Sequence, residues 1–185
     1  MAGLPHAVSS VLNDEVLTFL NRARKVPLGP LPLGEVSVHY ATVLAERGQT
    51  ISPADLARAV DATRGYPYLL QLVGYYLLRY AGTASQISGA MVDQAVASAR
   101  QDLAGAIHEP VLSRLSHQDL AFLCHMAADQ GPSRVADIQA RLGSSAGTAQ
   151  AYRRRLIDAG VIAPGRRGEV EFIVPYLAEH LRGDL

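Results

Sequence analysis

The sequence predicts a mainly α chain in two parts, a bundle of helices followed by three more helices and a small β-hairpin. Three observations predict this. Apolar residues recur at helical spacing almost without interruption to about residue 160. Serines stand before successive segments and glycines just past them, where they start and stop helices. After Gly160 the rhythm changes to alternation around a Pro-Gly-Arg-Arg-Gly turn.

Taken in order, Asn13 to Arg24 opens with a capping residue and acids, with Val16, Leu17 and Leu20 at helical spacing. The prolines and glycines of "VPLGPLPLGE" predict an extended connector. "EVSVHYATVLAERG" reads as a helix stopped by Gly48. "SPADLARAVDATRG" follows, with Ser52 as N-cap, Pro53 at the first helical position and Gly65 beyond the end. "TRGYPYLLQLVGYYLLRYAG" has Pro67 in its first turn. Its Leu69, Leu70, Leu72, Val73, Tyr76 and Leu77 wrap almost all the way round, predicting a fully buried helix. The uncharged run Gly65 to Leu78 is shorter than the ~20 apolar residues a membrane span needs, so no membrane anchor is expected. A further helix starts near Ser88 and reaches about His108, and Pro110 marks the boundary to a second part.

The second part has three helices, "SHQDLAFLCHMAADQG", "SRVADIQARLG" and "SSAGTAQAYRRRLIDAG". Strands then flank the turn, one at Val161 and Ile162 and one from Val170 to Val174, and "YLAEHLR" ends the chain as a short helix. Three helices followed by a hairpin is the winged-helix arrangement, a helix-turn-helix variant. The expected domains are 1–34 as connector, 35–108 as a helical bundle and 109–185 as the winged helix.

Composition excludes several chemistries. Seventeen basic and seventeen acidic residues balance, with no like-charged block to indicate a tail. Cys124 is the only cysteine, so no disulfide or thiolate metal cluster is expected, and its apolar neighbours predict a small buried residue. Lys25 is the only lysine and sits outside any Gly-Lys-Ser/Thr sequence, which removes the phosphate-cradling P-loop. The six histidines show no paired-ligand spacing. No catalytic residue and no metal site is expected within this sequence. The N-terminus lacks a secretory signal pattern, and a cytoplasmic location is expected.

Four stretches together carry a resemblance: "AGLP" at Ala2 to Pro5, "TFLNRARKVPLGPL", "TRGYPYLLQLVG" and "AYRRRLIDAGVI". In this order they resemble the C-terminal part of a prokaryotic AAA+/STAND-type ATPase, of the archaeal-ATPase or origin-recognition-like kind. The resemblance implies a lid domain at 35–108 after a remnant of the ATPase core, with the winged helix appended. It implies ATP and Mg as cofactors of the full-length protein and a fragment that cannot hydrolyse ATP alone, the Walker A and Walker B segments being expected upstream. The implied partners are the missing ATPase core, double-stranded DNA, a protein partner and further copies of the chain.

Under that resemblance Arg22, Arg24, Arg64, Gly65 and Pro67 are candidate nucleotide contacts, Arg22 or Arg24 as an arginine finger. Each arginine could equally be a helix-terminal cation facing the dipole. In the third helix of the second part, Ala149, Leu156 and Gly160 share the inward face, flanked by Tyr152 and Ile157. Thr148, Arg154 and Arg155 then lie on or near the exposed side, and Arg153 near the apolar boundary. Thr148, Arg154 and Arg155, with Arg166 and Arg167 at the hairpin tip, are the DNA-binding candidates, while Arg153 is placed to pair internally. The alternatives left open are a freestanding winged-helix transcriptional regulator with a helical dimerisation domain, and a protein-interaction module.

Overall fold

The computed structural model describes residues 29–183. The expected helix at Asn13 to Arg24, and Arg22 and Arg24 with it, lie outside the described residues. The chain divides between residues 109 and 110 into two compact units.

In residues 29–109 the backbone runs α1 (Leu33–Glu46), β1 (Thr50–Ile51), α2 (Pro53–Thr63), α3 (Pro67–Ala81), β2 (Gln86–Ile87) and α4 (Gly89–Leu103). A π-helical turn at Ala104–His108 leads into the short α5 (Glu109–Leu112). The starts are chemically specified. Ser52 Oγ accepts the Asp55 N–H at 3.1 Å and donates to the Asp55 carboxylate at 2.7 Å, a reciprocal cap in front of Pro53. Ser88 caps α4 through a single bond, its Oγ accepting the Met91 N–H at 3.4 Å. Pro67 occupies the first turn of α3, where its missing N–H costs nothing.

The core of this unit is a set of i, i+4 stripes. Leu69, Val73, Leu77 and Ala81 of α3 face Val92, Ala95 and Ala99 of α4, the two helices in most extensive contact. The alanines let these helices lie close. Burial on α3 is one-sided, correcting the expectation of a helix buried all round: Gln71, Tyr75, Arg79 and Tyr80 are exposed, and Tyr75 is 56% so. The hydroxyls of Tyr76 and Tyr80 bond Asp102 and Ser98 of α4, so these aromatics cover the helix pair from outside. No helix among the described residues is long and apolar enough to cross a membrane.

One strand pair in this unit was not foreseen. β1 and β2 pair in parallel, Thr50 with Gln86 and Ile51 with Ile87, and Gln49 Nε2 ties the same corner by donating to Gly82 and Ala84 carbonyls at 3.1 Å each. Two-residue strands give no periodicity to read.

Residues 110–183 contain α6 (His117–Ala127), β3 (Ser133–Arg134), α7 (Val135–Leu142), α8 (Ala146–Asp158), β4 (Ile162–Pro164), β5 (Glu169–Phe172) and α9 (Leu177–Arg182). The three strands form an antiparallel sheet in the order β3-β5-β4. Ile162 pairs with Phe172 and Ser133 with Val170. Phe122, Leu123, Ile138, Leu156, Ile162 and Leu177 centre the core, so every helix from α6 on and the sheet contribute to it. Gly143 ends α7 with φ +61, the left-handed value a C-terminal glycine supplies without a Cβ penalty. Cys124 is exposed, correcting the expectation that its apolar neighbours bury it: they occupy the inward face of α6, and Cys124 points the other way.

Candidate functional site

The best-defined candidate surface is on α8. Ser145 caps the helix, its Oγ accepting the Thr148 N–H at 3.2 Å and hydrogen-bonding the Thr148 hydroxyl at 2.8 Å. The Thr148 hydroxyl therefore serves the cap. Ala149 and Leu156 are buried in the core, and the opposite face exposes Gly147, Gln150, Ala151, Arg154 and Asp158. Arg154 stands at the middle of that face between small residues, as helical spacing anticipated.

Of the neighbouring arginines, Arg153 lies at the apolar boundary as expected and Arg155 departs from expectation. Arg153 is half-buried. Arg155, expected to be offered outward, is instead drawn to α6. Its Nη2 lies 2.6 Å from Asp119 Oδ1 and its Nε donates to Oδ2 at 3.3 Å. The guanidinium also rests 4.9 Å from the centre of the Tyr152 ring. Asp119 is buried, and its amide and carboxylate complete the Ser116 cap of α6. Arg155 reaches it because residues 152 and 155 lie one turn apart on the flank that meets α6, a tertiary pairing that a wheel drawn for one helix does not contain.

The β4–β5 hairpin carries the second basic pair. Gly165 N–H donates to the Glu169 carbonyl at 3.0 Å and Glu169 N–H to the Arg166 carbonyl at 2.8 Å, closing a turn that leaves Arg166 and Arg167 exposed.

Charge is segregated between the units although the whole chain balances. Nine arginines stand against eight carboxylates in residues 110–185, while residues 29–109 hold five arginines and seven carboxylates. Asp119 and Asp129 are already taken by Arg155 and Arg141. Arg153, Arg154, Arg166 and Arg167 make no ion pair among the described residues. Arg154, Arg166 and Arg167 are thus exposed arginines without an ion pair among the described residues, as are Arg114 and Arg134, and the hairpin also carries Glu169 and Glu171.

The nucleotide-contact candidates fall at the α2–α3 corner. Arg64 ends α2 in the left-handed conformation, φ 48°, and is exposed. Gly65 is buried: its N–H goes to Thr63 Oγ1 at 3.1 Å and its carbonyl accepts the Leu31 N–H at 2.8 Å. It has no amide left to offer a phosphate. Pro67 is exposed at the start of α3. The corner thus brings Arg64 and Pro67 to the surface around a glycine committed to the fold.

One residue of the α8 face was missed. Gln150 lies one turn before Arg154 and is also exposed. Its i, i+4 spacing was a signal present in the sequence.

Residues 105–181, less than half the chain, match a family described as a domain of unknown function, DUF8462. No curated protein matches significantly. Among solved structures, the RuvB Holliday junction branch migration motor of Thermotoga maritima is similar over 84% of this chain, at 19% identity and a TM-score of 0.39. Two single-substitution variants of that motor give the same TM-score at 19 and 20% identity. The chain covers half the length of those proteins. At that level the likeness is one of coarse, mainly helical fold and says nothing of activity.

Proposed function

We propose that residues 110–183 form a winged helix that binds double-stranded DNA, and that residues 29–109 are the lid of an AAA+/STAND-type ATPase whose nucleotide state it relays. The observation that carries the DNA reading is the exposed face of α8, where Arg154 stands among Gly147, Gln150 and Ala151 with no acid paired to it among the described residues. A major groove about 12 Å wide admits one helix, and small residues around the arginine let the helix backbone approach. Arg166 and Arg167 on the hairpin supply a second cationic contact suited to phosphates, which position a protein without reading sequence. The order of three helices and a β3-β5-β4 sheet supports the winged-helix reading. The lid reading rests on the Gly65-Tyr66-Pro67 start of α3 and on the family resemblance of the segments around it. ATP and Mg would be held by a core domain that these residues do not supply.

The test is fluorescence anisotropy with labelled duplex DNA from about 50 to about 200 mM salt. Arg154→Ala is the informative variant, because Arg155→Ala would also break the pair with Asp119. Binding that weakens with salt and weakens further in Arg154→Ala supports the reading. Absence of binding at low salt rejects it.

A further inference from the structure

We infer that α8 reads base sequence through two side chains, Arg154 taking a guanine and Gln150 an adenine about two base-pair steps away. The inference rests on the reading of this unit as a duplex-binding module.

It follows by asking which side chains of α8 remain available. Ala149 and Leu156 are in the core. The Thr148 hydroxyl is spent on Ser145, and Arg155 on Asp119 and Tyr152. Arg153 is half-buried. Asp158, one turn beyond Arg154, is exposed, and its carboxylate would face phosphates with the wrong sign, so the first three turns of the helix are the part that can enter a groove. That leaves Gln150 and Arg154 as the exposed polar side chains there. Neither has a side-chain hydrogen bond or ion pair among the described residues.

Their surroundings are open. A Cβ added at Gly147 would meet only Ser145 Oγ, at 3.9 Å, and Ala151 ends at its own Cβ. Arginine presents parallel N–H donors that match guanine O6 and N7. The glutamine amide offers one donor and one acceptor, which match adenine N7 and N6. Four residues of helix advance about 6 Å, close to two base-pair steps of 3.4 Å each. Ala151, between them, could touch a thymine methyl.

The experiment is affinity selection from a randomised duplex library with the full 185-residue chain, alongside Gln150→Ala and Arg154→Ala, each checked for wild-type circular dichroism. The wild type is expected to enrich guanine and adenine at two fixed positions, with a roughly 5- to 100-fold preference at each. Gln150→Ala should lose the adenine preference alone, and Arg154→Ala the guanine preference. Salt-dependent duplex binding with no base preference, or preferences that survive both substitutions, would overturn the inference and leave duplex binding standing. No duplex binding at all would remove both.

Discussion

Arg155 on α8 closes a two-pronged ion pair with Asp119 on α6, 2.6 Å at its shorter contact, while its guanidinium lies against Tyr152. The two partners differ in environment: the Arg155 side chain is 52% exposed and that of Asp119 only 8%. Removing the arginine leaves a buried carboxylate with Ser116 as its remaining hydrogen-bond partner among those described. Removing the carboxylate leaves an arginine that water can solvate. Arg155→Ala is therefore expected to cost about 1–3 kcal/mol, the half-exposed arginine keeping the loss below that of a fully buried pair. Urea unfolding followed by circular dichroism measures it. A loss under about 0.3 kcal/mol would show the pair to be incidental.

The Arg141–Asp129 pair predicts behaviour in acid. The hydrogen bond from the Arg141 guanidinium, at 2.6 Å, holds the Asp129 carboxyl below the usual carboxylate range. A folded value lowered in this way means stability that is present above the unfolded value of about 3.9 and lost as pH falls through the folded one. Asp129→Asn should thus lower stability at neutral pH by no more than about 1 kcal/mol, since both side chains are partly exposed. The difference from wild type should shrink below about pH 4, where the wild-type carboxylate also becomes protonated. Melting temperatures across that range check the sign. A gap that widens in acid would contradict it.

Gly65 predicts a backbone lesion. Its φ is +70°, and an added Cβ would sit 2.4 Å from the Leu31 carbonyl oxygen, a backbone atom that cannot rotate away. Gly48 has a similar φ of +68° with nothing within 4 Å of an added Cβ. Gly48→Ala should therefore carry only the conformational cost, about 1 kcal/mol. Gly65→Ala should carry that and a clash of about 1–3 kcal/mol more. Equal melting temperatures for the two variants would show that the connector at Leu31 yields freely.

What could be read from the residues alone was mostly punctuation. Ser52 and Ser116 each cap the helix expected of them, and Ser88 caps the helix expected to start near it, because an N-cap is decided by the residue and the next three. Arg154 fell on the exposed face for a similar reason, since one helix's periodicity fixes it. Cys124 and Gln150 could have been placed from one helix's periodicity, and the other errors involve a second element. The α3 helix looked buried all round because it has more apolar residues than its one covered side can hold, and Tyr75 and Tyr80 are left exposed. Arg155 looked free because Asp119 is 36 residues away in sequence. The β1–β2 bridge joins residues 36 apart and leaves no local pattern. The uneven charge of the two units was hidden in a total of zero.

The hairpin arginines give the remaining prediction. Arg166 and Arg167 are exposed at a turn closed by backbone bonds between Gly165, Arg166 and Glu169, so truncating both side chains should leave the sheet intact. If they contact phosphates, each contact contributes about 0.9 to the slope of log affinity against log salt. Arg166→Ala/Arg167→Ala should therefore reduce that slope by up to about 2 and weaken binding to all duplex sequences alike. Arg154→Ala should instead change base preference more than slope, because a base contact releases no phosphate counterion. Measuring the salt slope of both variants on two unrelated duplexes separates the roles. If the hairpin variant keeps the wild-type slope, the hairpin does not touch the DNA backbone, and the positive charge there serves something other than duplex binding.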